Sequence, residues 1–475
     1  MVHEVGRRIV ADDLREGTLL PREAELAQSY GVSRQAVREA LKVLAAKGML
    51  TTRRRAGSRV SPRSLWNLLD PDVLAWHAIV GLSPEFLRDL VEFRALVEPN
   101  TAALAARRAS PDQHERIAAC VEAMRAAVDD GDRFHDADVA FHVAVFTASG
   151  NALIDRLSTI VEPVLQVSST VQGSASERTA WAGDHERVAT AIANHDADGA
   201  EAAMRYVVEM YNGEVSSDER GRVSADAAVV WKTSDKSLLY PSGALHGQLA
   251  HQIGEQIVSG TLAEGETLPR ESELALKYKV SRQAVREAIK VLAAKGLVST
   301  RRRAGTTVTA REDWNLLDHD VIAWHNPRDL SFQFLTDLIE LRQLVEPACA
   351  ALAAERRDAT QLARISRAMA EMRRTAADPD WVDADVEFHI AIAAASGNTL
   401  LKSLCRMLAP VLEASMKGQG NLAPTLEVAL EMHESIERGI IAGDPERASM
   451  AMAAMLRLTD SRLHEVLGLG TQRSA

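Results

Sequence analysis

Three side chains in the first half of the sequence suit a divalent metal ion. Asp138 and His142 are four residues apart in a segment of helical pattern, and His185 belongs to a later helical segment. Residues at i and i+4 share one face of a helix, so these side chains can converge inside a helical bundle. A carboxylate together with imidazoles suits Zn²⁺, Mn²⁺ or Ni²⁺. A surface ion pair or a hydrogen-bonded core histidine would give the same spacing.

The same three residue types occur a second time. Asp385, His389 and His433 repeat them at an offset of 247 or 248 residues, and nine residues from Val32 recur unchanged from Val280. A repeat of this length indicates a duplicated protein rather than a solenoid of small units. The duplication predicts a pseudo-dimer within one chain, although the sequence leaves open whether the two bodies pair within or between chains.

The elements that carry this chemistry begin with a helix-turn-helix pattern. Pro21–Ser29 predicts a helix, with Pro21 in its first turn and Gly31 after its end. Ser33 then predicts the N-cap of a second helix that starts at Arg34. Apolar residues recur in the second helix at i, i+3, i+4 and i+7, the period of a buried helical face. They are Val37, Ala40, Leu41 and Leu44.

The other side of the second helix predicts contacts to DNA. Arg34, Gln35 and Arg38 project from its first turns, where a recognition helix meets base edges and phosphates. A solvated helix face is the alternative interpretation. The unchanged repetition of these residues in the second copy favours DNA binding, as does the basic segment that follows the helix.

The residues after the recognition helix predict a basic β-hairpin. Met49–Thr52 and Ser58–Ser61 are the two strands, and Arg53–Gly57 is the turn. Such a wing suits the DNA backbone or the minor groove. The predicted DNA contacts in the helix and wing are Ser33, Arg34, Gln35, Arg38, Arg53, Arg54, Arg55 and Gly57, and in the second copy Ser281, Arg282, Gln283, Arg286, Arg301, Arg302, Arg303 and Gly305.

The distribution of charge agrees with two DNA-binding heads. The whole chain has a net charge of −11, which by itself argues against a nucleic-acid partner. Residues 1–63 hold 13 Lys and Arg against 7 Asp and Glu, and residues 244–311 hold 11 against 6. The remainder therefore carries −22. Two basic modules on an acidic body predict double-stranded DNA as the partner of the heads alone.

The remaining sequence predicts a mainly α protein. Residues 64–212 and 312–475 show helical periodicity with no convincing strand, and the polar residues 213–243 predict a linker. The fold class is therefore two winged helix-turn-helix heads, each followed by an all-α bundle. No apolar run approaches 18 residues and no leader precedes the first helix, which predicts a cytoplasmic protein without a membrane partner. The three cysteines lack C-x-x-C spacing, which predicts reduced thiols.

The head resembles that of the GntR family of regulators. The segments that carry the resemblance are Leu20–Ala27, Val32–Leu41 and Ala56–Val60. The family often has an arginine just before the Glu-Leu-Ala of the first helix. This sequence has Ala24 and Ser272 there, so the resemblance implies that Arg22 and Arg270 replace that contact.

The body resembles the FCD effector domain of the FadR subfamily. The motifs are Arg94 with Glu98, Asp138-x-x-Phe-His142, Ser-Gly-Asn151 and a later His185. In metal-bearing members one Asp and three His surround the ion, and the carboxylate of an effector completes the coordination. The resemblance places the last of these histidines at Val207 in the first copy and at Met455 in the second. Each copy therefore offers three of the four usual ligands.

The resemblance also implies an effector site. Arg94 and Arg342 are expected to hold the carboxylate of a small effector, because a guanidinium fork matches a carboxylate; Asn151 and Asn398 are expected to line the same site. A helix-surface ion pair with a neighbouring glutamate is the alternative role for the arginines.

The segment Trp66–Trp76 resembles the connector of regulators of sugar-acid catabolism, such as galactonate or gluconate. Its amphipathic pattern predicts that its two tryptophans dock the head onto the body.

These observations predict a DNA-binding transcriptional regulator that represses and is relieved by a small carboxylate. The two heads would enter neighbouring major-groove segments about 34–36 Å apart. An effector bound in each body would bias the spacing of the heads. The alternatives are a helical metal-dependent enzyme, which lacks a clear general base beside the trio, and a DNA-architectural protein without an effector. No catalysis is expected.

Overall fold

The protein is described here by a computed structural model that divides into two compact units. One unit contains both heads, Met1–Leu82 and Arg222–Asp329, and the other both bodies, Ser83–Gly221 and Leu330–Ala475. The structure describes residues 1–53, 57–81, 83–165, 173–217, 245–301, 305–310, 313–314, 321, 324, 332–376, 381–419 and 426–466.

The first head is a winged helix-turn-helix. Its elements are α1 (Val2–Val10), α2 (Glu23–Ser29), α3 (Arg34–Ala46), β1 (Leu50–Arg53), β2 (Gly57–Val60) and α4 (Pro71–Val80). The Ser33 hydroxyl accepts a hydrogen bond from the Ala36 backbone N–H at 3.2 Å, as predicted for the N-cap of α3. All four residues of the predicted apolar stripe are buried. Packing of this face fixes which side of α3 remains exposed.

Helix α2 begins later than the sequence predicts. Arg22 is its N-cap in an extended conformation, so Pro21 lies outside the helix. The reason is local: the Glu25 carboxylate accepts the Arg22 backbone N–H at 3.1 Å, which holds the chain extended at that residue. Gly31 has a φ of +63° after the helix, as predicted for its end. In the second copy Lys279 takes this left-handed conformation with a φ of +54°.

The wing is an antiparallel pair in both heads. Arg53 pairs with Gly57, so β1 extends one residue beyond the predicted strand and β2 begins one residue earlier. Gly57 has a φ of +83°, which only glycine adopts readily. The second head repeats the arrangement with α11 (Leu245–Val258), α12 (Glu271–Lys277), α13 (Arg282–Ala294), β3 (Val298–Arg301) and β4 (Gly305–Val308).

The tryptophan connector packs on its own head. Trp66 Nε1 donates to the Ser61 carbonyl at 3.0 Å, and Trp76 Nε1 donates to His3 Nδ1 at 3.0 Å. Lys47, at the end of α3, is 1% exposed, and its Nζ lies 2.6 Å from Asp70 in the connector. A buried ammonium must be paired in this way. The compact unit that contains the heads includes this connector and runs to Leu82.

Each body is a bundle of six helices in the described residues. The first contains α5 (Pro84–Arg108), α6 (Pro111–Ala126), α7 (Gly131–Ala148), α8 (Ala152–Leu165), α9 (Ala175–Ala193) and α10 (Ala197–Ser217). The second contains α14 (Phe332–Arg356), α15 (Ala359–Arg374), α16 (Trp381–Ala395), α17 (Thr399–Gln419), α18 (Leu426–Ala442) and α19 (Pro445–Val466). Helix α10 enters the predicted linker, and residues 218–243 of that linker lie outside the described residues. None of the described helices is long and apolar enough to cross a bilayer.

The two bundles pack against each other within the one chain. Arg108 of the first pairs with Glu340 of the second, and the equivalent Arg356 pairs with Glu92, with Nη2 2.6 Å from Oε1. The contacts are therefore matched, because each copy presents the same patch to the other. This is an isologous, pseudo-twofold interface of the kind that symmetric dimers use.

The head structure predicts a packing defect on substitution of Gly6. A Cβ at Gly6 would lie 2.4 Å from the Trp76 ring, and one at Gly254 would lie 2.3 Å from Trp324. We expect Gly6→Ala or Gly254→Ala to lower the free energy of unfolding by about 1–3 kcal/mol through overpacking. Urea unfolding followed by tryptophan fluorescence would measure it. Gly183→Ala, in an open position of α9, is the control and should raise the free energy of unfolding by about 0.5–1 kcal/mol. An unchanged free energy of unfolding in Gly6→Ala would contradict the close contact between Gly6 and Trp76.

Candidate functional sites

The recognition helices α3 and α13 expose the residues predicted to contact DNA. Arg34, Gln35 and Arg38 are exposed on the face of α3 opposite its buried stripe. Arg38 Nε lies 2.6 Å from the Glu23 carboxylate of α2, and the equivalent pair Arg286 and Glu271 is at 2.8 Å. These ion pairs orient the guanidinium groups but are exposed to solvent, so a phosphate can compete for them.

The other predicted DNA contacts lie around these helices. The side chain of Ser281 accepts the Ala284 N–H at the start of α13, as Ser33 does in α3. Gln283 donates to Glu287 at 2.8 Å, and Gln35 makes the matching bond in the first copy. Arg22, Arg270 and Arg282 are exposed, Arg53 and Arg301 end β1 and β3, and Gly57 and Gly305 begin β2 and β4. Arg54, Arg55, Arg302 and Arg303 lie outside the described residues.

The predicted metal trio of the first copy converges in the core of its bundle. Asp138 and His142 lie on α7 and His185 on α9, and all three are buried. One potential ligand atom from each lies within 4.8 Å of the others. His185 Nε2 is 3.0 Å from Asp138 Oδ1 and 3.4 Å from His142 Nε2.

The second copy repeats this geometry. Asp385 and His389 lie on α16 and His433 on α18, again within 4.8 Å of one another and buried. His433 Nε2 is 2.9 Å from Asp385 Oδ1. The prediction that these residues come together is thus confirmed for both copies.

Each histidine contacts an oxygen atom through its outer ring nitrogen, as histidines that bind metal ions usually do. His185 Nδ1 donates a hydrogen bond to the Trp181 carbonyl at 2.8 Å, so Nε2 is the ring nitrogen that faces the site. His142 Nδ1 lies 2.6 Å from Glu98 Oε2, which likewise leaves its Nε2 facing inward. The Nε2 atoms of two imidazoles and a carboxylate then face one another in the buried interior. A proton or a cation has to lie between them, so the donor set fits a divalent metal ion.

Burial and charge act in opposite directions on the carboxylates of the first site. Burial raises the pKa of Asp138, but the hydrogen bond with His185 and the charges of the histidines outweigh it and lower the pKa to about 2. Burial also raises the pKa of Glu98, and the charges of Arg94 and His142 outweigh it to give about 2. Both carboxylates therefore stay ionised without a metal. The pKa of Asp385 in the second site is lowered for the same reasons.

The predicted effector arginines belong to the same buried network. Arg94 is 5% exposed and pairs with Glu98, and Arg342 pairs with Glu346 in the second copy. The ion pairs with glutamate that the alternative interpretation named are present, but they lie inside the bundle rather than on a helix surface. Glu98 was part of the sequence motif, but the sequence did not indicate its role in the site. It joins Arg94 to His142 and so links the predicted effector site to the trio.

The predicted effector asparagines lie elsewhere, at the interface between the bundles. Asn151 Nδ2 donates to the Asp337 carbonyl at 2.9 Å, and Asn398 Nδ2 donates to the Asp89 carbonyl at 2.8 Å. The Oδ1 atom of Asn151 accepts the N–H groups of the first turn of α8. These polar groups are engaged in capping and pairing.

The fourth-ligand positions of both copies are apolar. Val207 of α10 is completely buried in the hydrophobic core, and Met455 of α19 is 7% exposed. Three protein ligands with a remaining open position are the arrangement of a metal site that accepts an exogenous ligand.

Comparison with known proteins shows that this chain is similar to bacterial regulators. The family model described as bacterial regulatory proteins, gntR family, matches residues 1–60 and 245–308, and the FCD domain model matches residues 89–210 and 337–458. The Galactonate operon transcriptional repressor of Escherichia coli (strain K12) is 34% identical over 213 residues, which are 43% of this chain and 90% of the relative. The HTH-type transcriptional regulator LutR of Bacillus subtilis (strain 168) is 34% identical over 42% of this chain and 92% of its own length.

One solved structure, Streptococcus agalactiae GntR, is 26% identical, covers 46% of this chain and 99% of its own, and has a TM-score of 0.23. The two curated relatives named above each correspond in length to about one copy of the duplicated chain.

The depressed pKa values predict how acid affects the metal-free protein. The stability that Glu98 and Asp138 contribute is fully present above their ordinary pKa values near 4 and is lost as the pH falls towards about 2. Glu98→Gln should lower the free energy of unfolding by about 3 kcal/mol at pH 7, since it leaves Arg94 buried and unpaired. Urea unfolding in the presence of a metal chelator gives the measurement. The difference in free energy of unfolding between Glu98→Gln and the parent should shrink below pH 4. Glu115→Gln, an exposed substitution, is the control; a constant difference at every pH would refute the assignment.

Proposed function

This chain belongs to the GntR family of bacterial regulatory proteins and carries the FCD domain of that family twice, and we propose that it is a transcriptional repressor that works as a dimer fused into one chain. The observation that carries the proposal is the pair of exposed, identical recognition surfaces on α3 and α13, in a chain whose bodies pair with matched contacts. DNA binding and transcriptional regulation follow from the family itself.

The DNA contacts begin with Arg34 and Arg282, which are exposed at the first turn of each recognition helix. An arginine in this place can bind a guanine edge with two hydrogen bonds. Arg38 and Arg286 lie one turn further and are held by ion pairs to α2 and α12. They are suited to phosphate or base contacts with little loss of side-chain entropy. Because the two copies present the same side chains, the operator is expected to contain two equivalent half-sites.

The effector is a small carboxylate that binds in each FCD bundle. Arg94 and Arg342 provide buried positive charge next to the trio, and the open coordination position provides a second anchor for the same carboxylate. The relative named as the galactonate operon repressor supports repression as the mode of regulation and a sugar acid as the compound. The effector would act by favouring one arrangement of the bundles over another.

A divalent ion would be held by Asp138, His142 and His185, and by Asp385, His389 and His433 in the second copy. Such an ion would supply a Lewis-acid centre suited to the carboxylate of the effector. Glu98 Oε2 and Glu346 Oε2 lie 2.6 and 2.8 Å from the Nδ1 atoms of His142 and His389. The main-chain carbonyls of Trp181 and Ala429 accept hydrogen bonds from the Nδ1 atoms of His185 and His433. The family favours ligand sensing over hydrolysis as the use of this centre.

The proposal predicts a graded loss of operator binding. Arg34→Ala or Arg282→Ala should each weaken binding about tenfold or more, and the double variant should lose sequence-specific binding, because each bidentate contact contributes about 1–3 kcal/mol. The binding site is first selected from random DNA duplexes with the parent protein. Each variant is then titrated into the labelled duplex, and binding is followed by fluorescence anisotropy. Arg205→Ala, an exposed change on α10, is the control. Unchanged specificity in the double variant would remove these helices from DNA reading.

The trio predicts binding of Zn²⁺ or Mn²⁺ to the bundles. The parent should bind up to two ions per chain by calorimetry, and Asp138→Asn with Asp385→Asn should abolish binding. Glu98→Gln should weaken the first site about 10–100-fold, since second-shell partners orient the ligands. Glu115→Gln should leave both sites unchanged. Binding that survives the double Asn variant would show that the ions bind elsewhere.

A further inference from the structure

Each recognition helix carries a glutamine whose side chain is held by a glutamate one turn later. Gln35 Nε2 of α3 donates to Glu39 Oε1 at 3.0 Å, and Gln283 Nε2 of α13 donates to Glu287 Oε1 at 2.8 Å. Both pairs are spaced i, i+4, so the two side chains are neighbours on one face of the helix. Gln35 and Gln283 are exposed, whereas the glutamates are partly buried. The two heads therefore repeat one interaction that the DNA contacts proposed above do not use.

The carboxylate determines which way the amide of each glutamine is turned. An amide presents an NH2 donor on one side and an oxygen acceptor on the other, whereas an ionised carboxylate only accepts hydrogen bonds. The NH2 group of Gln35 must therefore face Glu39, because the reversed amide would place its Oε1 atom against a carboxylate oxygen. Oε1 of Gln35 is thus turned away from Glu39 and can accept a hydrogen bond from another molecule.

A lysine also binds each glutamate. Lys42 Nζ lies 3.1 Å from Glu39 Oε1, and Lys290 Nζ lies 3.2 Å from Glu287 Oε1. The same carboxylate oxygen therefore receives both the glutamine and the lysine. Exposed pairs of this kind contribute little to stability, so the main effect of the network is to fix the orientation of the glutamine amide before DNA is bound.

We propose that Glu39 and Glu287 are positioning residues that make Gln35 and Gln283 read adenine or cytosine in each half-site, an inference that rests on the proposed operator binding. In the major groove adenine presents its N6 amino group and cytosine its N4 amino group, whereas guanine and thymine present the acceptors O6 and O4 at the matching places. The fixed Oε1 atom of the glutamine can accept from either amino group, and against guanine or thymine it would meet another acceptor. Adenine also offers N7 to the remaining N–H of the amide.

The effect of Glu39 on specificity differs from that of the neighbouring ion pair. A guanidinium group has only donors, so the pairing of Arg38 with Glu23 leaves unchanged the kind of base edge that Arg38 can bind. An amide that is free to turn over can bind a donor or an acceptor, and a glutamine in that state would accept any of the four bases. The glutamate removes one of the two orientations. It therefore changes which base is preferred rather than the number of contacts with DNA.

The test compares the base preferences of the parent and two double variants, each as the full chain, by selection from random DNA duplexes. Gln35→Met with Gln283→Met removes the polar amide at nearly the same side-chain size. The position of each half-site at which the preference then disappears is the position that the glutamine reads. At that position the parent should favour adenine or cytosine over guanine and thymine by about tenfold or more.

The decisive variant is Glu39→Gln with Glu287→Gln. A glutamine at these places offers both a donor and an acceptor, so either orientation of the Gln35 amide finds a partner. We expect all four bases to bind within about threefold of one another at the position that Gln35 reads, with the other positions and the midpoint of thermal unfolding unchanged. Glu115→Gln with Glu446→Gln makes the same change of charge at two exposed places on α6 and α19, and should keep the preferences of the parent.

The inference is overturned if the parent prefers guanine or thymine at that position, if no position depends on Gln35, or if Glu39→Gln with Glu287→Gln keeps the preference of the parent. A preference weakened equally at every position, together with a lower midpoint of unfolding, would also overturn it, because the glutamates would then have a structural role. A parent that selects no sequence at all would instead contradict the proposed function, so the two failures can be told apart.

Discussion

The need to neutralise a buried carboxylate organises each FCD bundle. Glu98 and Glu346 are almost fully buried, and an unpaired charge in such a place would cost several kcal/mol. Arg94 lies on one side of Glu98 and His142 on the other. His142 then faces Asp138 and His185, so the polar network joins three helices, α5, α7 and α9. Removal of any member leaves another buried charge or lone pair without its partner. This coupling explains why the trio keeps its geometry in both copies although Val207 and Met455 replace the usual fourth ligand.

The interface between the bundles depends on a related use of carboxylates. Asp337 accepts the backbone N–H of Ala152 at the start of α8, and Asp89 accepts that of Thr399 at the start of α17. Each bundle therefore caps a helix of the other, at the helix end where negative charge is favourable. Joining both copies in one chain makes their pairing an intramolecular event, which raises the effective concentration of each partner for the other. The tandem arrangement thus supplies the pairing that two separate chains of this family would achieve by dimerisation.

Local and repeated patterns were sufficient to predict much of this structure. The apolar stripe of α3, the Ser33 cap and the glycine after α2 are encoded within a few residues, and the trio follows from helical spacing plus duplication. Features that depend on distant residues were not predictable in this way. The docking of Trp76 on α1 requires the contact with Gly6, and Asn151 is drawn to the interface by Asp337, 186 residues away. The prediction of where α2 starts was wrong for a different reason. The hydrogen bond from the Arg22 backbone N–H to the Glu25 carboxylate overrides the preference of proline for a first turn.

The two copies differ in ways that two identical chains could not. The exposed side chains at the start of α3 and α13 are the same, which the proposed operator with two equivalent half-sites requires. The bundle interiors differ at Thr101 and Cys349, and at Val207 and Met455, while the charged network and the capping aspartates are the same in both. A homodimer of separate chains would carry every such difference twice or not at all. Fusion therefore permits the two bundle interiors to differ while the charged network and the interface stay matched.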